Sequence, residues 1–124
     1  MGKTIHRFDP DAEHYTEEGC FILELSNSAE DEAVSIARAR VEVGVTTRLH
    51  RLRGVAERYL ILEGQGLVEV GNSTPAHVAA GDVVCIPQGV SQRVANTGDC
   101  DLVFLAICTP RFVPAVYEDI DGAG

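Results

Sequence analysis

The sequence predicts an all-β chain, folded as one antiparallel sandwich or barrel, on three observations. From residue 33 onward, short runs rich in Val, Ile and Leu alternate with Gly, Pro, Asn and Asp at the spacing of an antiparallel β protein. Gly64, Gly66, Gly71, Gly81, Gly89 and Gly98 punctuate these runs, and glycine readily takes the positive φ that tight reversals demand. Such dense punctuation argues against helices. The third observation is length: 124 residues, without internal repeat or low-complexity stretch, suit one domain spanning 1–124 with one core. A domain of this size buries roughly two thirds of its extended surface, so it needs no disulfide staple.

Taken in order, about residues 1–18 read as an N-terminal arm and about 20–108 as the barrel core, with a C-terminal extension over 109–124. The predicted strands are Phe21–Leu25, Val34–Val43, Arg48–Leu52, Arg58–Leu62, Leu67–Val70, Ala76–Val78, Val83–Ile86, Gln92–Ala95 and Leu102–Cys108. Pro87 ends the run before it, because proline donates no ladder hydrogen bond. Ser28–Glu32 reads as an acidic turn or loop. In the extension, Phe112, Val113 and Tyr117 are apolar groups available to cover either a partner or the barrel's own end.

Ten basic against nineteen acidic residues give a net charge of −9, which repels nucleic acid and anionic membranes and leaves a small molecule or another protein as partner. No apolar run approaches the roughly 20 residues of a membrane helix. Cys20, Cys85, Cys100 and Cys108 form no CxxC pair, and the N-terminal segment has no apolar run of the kind that directs secretion. Reduced thiols and a cytoplasmic location are the expectation. The acidic pairs and triplets at Glu17–Glu18 and Glu30–Glu32 read as solvated loops.

Residues two apart on a strand share a face, so His50 projects with Leu52, Glu57 with Tyr59 and Ile61, and Gln92 with Val94 and Asn96. If His50, Glu57 and Gln92 all point inward, an imidazole, a carboxylate and an amide oxygen meet in a confined space. Such a trio can hold a divalent cation. Alternatively, His50 and Gln92 hydrogen-bond to each other or to Tyr59 in a polar pocket, with Glu57 solvated by trapped water. Tyr59 and Arg48 are the residues placed to orient or act on a substrate, Arg48 being in register with His50 at the pocket mouth. Arg38 and Arg40 share a face with Ile36 and either point outward or turn into the barrel to bind an anionic substrate group through forked hydrogen bonds. His6 and His14 belong to the arm and His77 to a polar hairpin, while Cys85 and Cys108 read as packing.

Two registered blocks carry a resemblance. Gly44-x5-His50-x-Leu52-x4-Glu57-x6-Gly64 is similar to the first signature of the cupin superfamily, and Gly81-x5-Pro87-x-Gly89-x2-Gln92-x3-Asn96 to its second. The resemblance implies a small single-domain cupin: a double-stranded β-helix, or antiparallel jelly-roll barrel, commonly a homodimer. The family pattern has histidine where this chain has Leu52 and again where it has Gln92, so two of the four usual metal-ligand positions are altered. Leucine ligates nothing, and a neutral amide is a weaker donor than imidazole toward transition metals. An ion held by His50, Glu57 and Gln92 would be manganese, iron, nickel, zinc or magnesium rather than copper(I).

Two functions follow from this reading. One is a metal-dependent enzyme acting on a small oxygenated or sugar-like molecule as an isomerase, epimerase, lyase or dioxygenase. The other is a non-catalytic binding or sensor module that captures a small ligand without metal.

Overall fold

The computed structural model describes residues 3–122. Eleven strands form among them: β1 (His14–Tyr15), β2 (Phe21–Ser26), β3 (Ser35–Val41), β4 (His50–Leu52), β5 (Ala56–Glu63), β6 (Gln65–Val70), β7 (Ala76–Ala79), β8 (Val83–Ile86), β9 (Gln92–Asn96), β10 (Leu102–Thr109) and β11 (Tyr117–Asp119). Every strand predicted from the sequence is present, Val83–Ile86 with the same bounds and the others with shifted ends, and the antiparallel jelly-roll architecture is as expected. Two strands carried no signal. β1 lies in the supposed arm and β11 in the supposed extension, and each is too short for alternation to register.

The strands build two facing sheets, ordered β1-β2-β3-β10-β5-β8 and β11-β4-β9-β6-β7. Alternation explains which residues fill the space between them. On β5, Glu57, Tyr59 and Ile61 are buried, whereas Arg58 and Leu62 face out. On β3, Ala39 and Val41 turn inward, and Arg38 and Arg40 occupy the opposite face. The main core joins Val41, Ile61, Val68, Val94, Leu102 and Phe104. Gly64 closes the β5–β6 hairpin at φ +85°, where a Cβ would lie 2.6 Å from the Asp101 carbonyl oxygen. Any side chain there would force the backbone apart.

The extension covers the barrel's own end. Phe112, Val116 and Tyr117 pack on a second cluster of Leu52, Val55 and Cys108. β11 pairs with β4, placing Tyr117 opposite Leu52 and Asp119 opposite His50. The arm is strapped down as well: Arg38 and Arg40 both hold the Glu13 carboxylate, and Arg40 also reaches Asp101 at 3.1 Å. Phe8 lies against the Arg38 guanidinium and Phe21 against that of Arg40. Among the described residues no helix is long and apolar enough to cross a membrane.

Candidate functional site

A cavity of about 410 Å³ opens between the sheets at the β4 and β11 end. The second sheet supplies His50, the first supplies Glu57 and Tyr59, and the chain around β1 supplies His14, Thr16, Glu17 and Glu18. Ala37, Ala39, Val94, Phe104 and Ala106 give it an apolar floor. The small side chains on β3 are what leave the room.

His50 is 3% exposed and fixed in orientation. Its Nδ1 lies 2.8 Å from the Arg48 carbonyl oxygen, which only accepts, so Nδ1 carries a proton, and in the corresponding neutral tautomer Nε2 keeps its lone pair. The ring stacks on Tyr117 with centroids 5.0 Å apart. Nε2 lies 3.8 Å from a carboxylate oxygen of Glu18.

Glu57 is 8% exposed and half satisfied. One oxygen accepts from the Cys108 thiol at 3.6 Å; the Gln92 amide lies near the carboxyl, but Oε1 has no partner in hydrogen-bond geometry. Burial pushes its pKa up to about 7, against the pull of the Gln92 amide and the thiol, with the Glu18 charge adding to the rise. A buried carboxyl with a free oxygen calls for a ligand or an ordered water. Tyr117 Oη is likewise buried and unpartnered.

Gln92 sits opposite His50 in the β4–β9 ladder but does not line the cavity. Its Oε1 accepts the Tyr59 hydroxyl, and the Tyr59 ring rests on Phe104 at 4.3 Å. Burial holds the Tyr59 hydroxyl well above its ordinary pKa, so it remains a proton donor. Leu52 lines the wall. Arg48 is not among the residues lining the cavity: it turns outward and pairs with Asp119.

Several residues differ from the sequence reading. Glu18 is a cavity residue rather than part of a solvated loop, because the turn at Thr16–Cys20, with Gly19 at φ +90°, aims it inward. Burial raises its carboxyl, partly offset by His50. Tyr117 arrives only through β11 pairing. Cys85 is exposed rather than packed, whereas Cys108 bonds Glu57. His77 is exposed on β7.

The donor set can be tested against a divalent ion. His50 Nε2 and Glu57 Oε1 carry free lone pairs, Leu52 carries none, and the Gln92 oxygen is engaged by Tyr59. Among the described residues no three His, Cys, Asp or Glu side chains converge as a metal site. Catalytic zinc ions, for comparison, usually rest on three protein ligands. The residues as arranged do not fit a resident ion.

Two antiparallel sheets rolled around a cavity with a few inward polar groups define a double-stranded β-helix with an interior binding site. The chain belongs to the cupin family, matching the Cupin domain over residues 37–108. An uncharacterised protein of Methanocaldococcus jannaschii is 33% identical over 116 residues, 92% of this chain and 90% of that protein. An oxalate-binding protein of Thermotoga maritima is 36% identical over 77 residues, 62% of this chain and 63% of that protein. The crystal structure of a predicted oxalate decarboxylase from Thermotoga maritima aligns with TM-score 0.69 and 30% identity, covering 79% of this chain and 90% of that one. A Streptomyces nucleoside dehydratase with uridine aligns with TM-score 0.77 at 15% identity, over 96% of this chain and 93% of that one, a likeness of fold alone.

Proposed function

We propose that this chain binds a small molecule in its cavity and that His50 and Glu57 exchange protons with it directly, without a resident metal. The unpartnered, buried Glu57 Oε1 carries this reading. A carboxyl with pKa about 7 both gives and takes a proton near neutrality, which is where a general acid or base is most effective. His50 presents a lone pair held in one direction. Tyr59 donates to Gln92 and stiffens the wall behind them rather than acting as the catalytic hydroxyl expected from the sequence. Of the reaction classes expected, isomerisation, epimerisation and elimination need only proton transfers.

The test is wash-in of deuterium from D₂O at the carbon beside a carbonyl, followed by NMR across a panel of aldoses and hydroxyketones. Glu57→Gln and His50→Gln should each slow the exchange by about 10²-fold or more. Exchange undiminished in either variant would defeat the proton-transfer reading.

A second reading is favoured by the Thermotoga relatives and by the free Glu57 oxygen. There, Tyr59 would release Gln92, and His50, Glu57 and Gln92 would hold Mn, Fe, Ni or Zn, which would supply an open coordination position for a small carboxylate such as oxalate. Titration with oxalate before and after loading each ion separates the two. The first reading expects no oxalate binding in either state and no rise in melting temperature with metal, and a metal-dependent response would establish the second.

A further inference from the structure

We infer that the cavity selects a small organic cation, an ammonium group on a compact apolar stem, with the Glu57 carboxyl as its principal acceptor. The inference rests on the small-molecule reading above and adds the charge class of the ligand. Four glutamates line the cavity, Glu17, Glu18, Glu24 and Glu57, together with two histidines, and no lysine or arginine does. Of the nearby arginines, Arg38 and Arg40 hold Glu13 on the outer face, Arg48 holds Asp119, and Arg111, close enough to pull on Glu24, bonds Asn27. Glu57 is buried, Glu18 half-buried, and Glu17 and Glu24 exposed, so an anionic ligand would meet carboxyl groups and no lysine or arginine of the lining.

The acidic lining is not the only observation. Glu57 Oε1 and Tyr117 Oη are both buried, unpartnered and on residues of the cavity wall. Both are oxygens able to accept from N–H groups. An ammonium supplies three such donors and a positive charge, and charge-assisted bonds of this kind are about twice as strong as neutral ones. It also differs from a metal ion in its demands. An ion of the transition series needs several ligands at fixed short distances, whereas an ammonium needs acceptors around it and tolerates hydrocarbon beyond them. The floor of Ala37, Ala39, Phe104 and Ala106 suits such a stem. An apolar cavity of roughly 150 Å³ already accommodates benzene, so about 410 Å³ admits a benzyl-sized molecule.

Three probes of one shape and different charge test the proposal: benzylamine, benzyl alcohol and benzoate, titrated into the full chain at neutral pH while backbone amides of Val94, Phe104 and Ala106 are followed by NMR. Benzylamine should bind at least tenfold tighter than benzyl alcohol, and benzoate should bind weakest. Glu57→Gln should bring the amine and the alcohol within about twofold of each other. Glu18→Gln, a second variant beside His50, should narrow the preference about threefold, and Arg48→Ala should leave it intact. Benzoate binding as tightly as the amine overturns the proposal. So does a tenfold preference that survives Glu57→Gln, since the net acidic surface would then be its source. One saturable Zn²⁺ site that competes with benzylamine also overturns it, in favour of a metal. Alcohol binding without amine preference sinks this inference alone, whereas no cavity response to any probe sinks the small-molecule reading with it.

Discussion

His50 and Glu57 are both buried and polar, yet they are prepared for different tasks. The imidazole is locked by its own backbone, two residues away in sequence, and so keeps one direction whatever the ligand does. The carboxyl is held on one side only, and its protonation follows its surroundings. This has a consequence for stability. Burial raises the folded pKa of Glu57 from 4.5 to about 7, so folding favours the neutral acid. Its contribution is complete below about pH 4.5 and is lost as pH rises through about 7, a change on the order of 3 kcal/mol. Urea unfolding of wild type and Glu57→Gln from pH 4 to 8 should show the variant gaining relative stability as pH rises. Parallel pH profiles would contradict this assignment. Because Glu18 and Glu24 are also raised, only the difference between the two proteins isolates Glu57.

Among the elements, β4 and β11 decide whether the site exists. β4 is three residues long and makes a single registered pair with β9, His50 with Gln92. Three further pairs come from β11, and Arg48, Arg51 and Arg53 bind Asp119 and Glu118 along the same seam. These surface ion pairs individually add little, up to about 1 kcal/mol each. The packing of Tyr117 on His50 and Leu52 adds more. Tyr117→Ala should cost about 2 kcal/mol through lost burial. It should also let the His50 ring reorient, seen as a change in its NMR tautomer signals. Loss of stability with unchanged imidazole signals would mean that β11 covers the barrel end without positioning the site. Glu13 makes the corresponding tie at the other end of the chain, holding His14–Glu18 near the cavity through Arg38 and Arg40.

At the scale of the whole molecule, charge is distributed with a pattern that composition conceals. The net charge of −9 says only that polyanions are repelled. The fold adds that Arg38, Arg40, Arg48 and Arg51 turn away from the cavity, while of the glutamates along its lining Glu57 is buried, Glu18 half-buried, and Glu17 and Glu24 exposed. The low-dielectric walls intensify whatever field these groups create, so the sign of the cavity matters more than the sign of the surface. Family membership leaves the reaction open, because one fold hosts many chemistries and function follows the site.

The sequence by itself determined the class of fold and two members of the site. Period-two alternation is a local property, and it turned His50 and Glu57 inward without reference to any distant residue. Glycines at the reversals marked where strands end. What only the tertiary structure decided concerns residues far apart along the chain. Glu18 reaches the cavity through the Gly19 turn, Tyr117 through pairing with a strand some 65 residues earlier, and the Gln92 oxygen is taken by Tyr59 from the opposite sheet. None of these follows from spacing, because each depends on how two sheets are set against each other. That packing gives the Gln92 oxygen to Tyr59 and leaves His50 and Glu57 on the cavity wall.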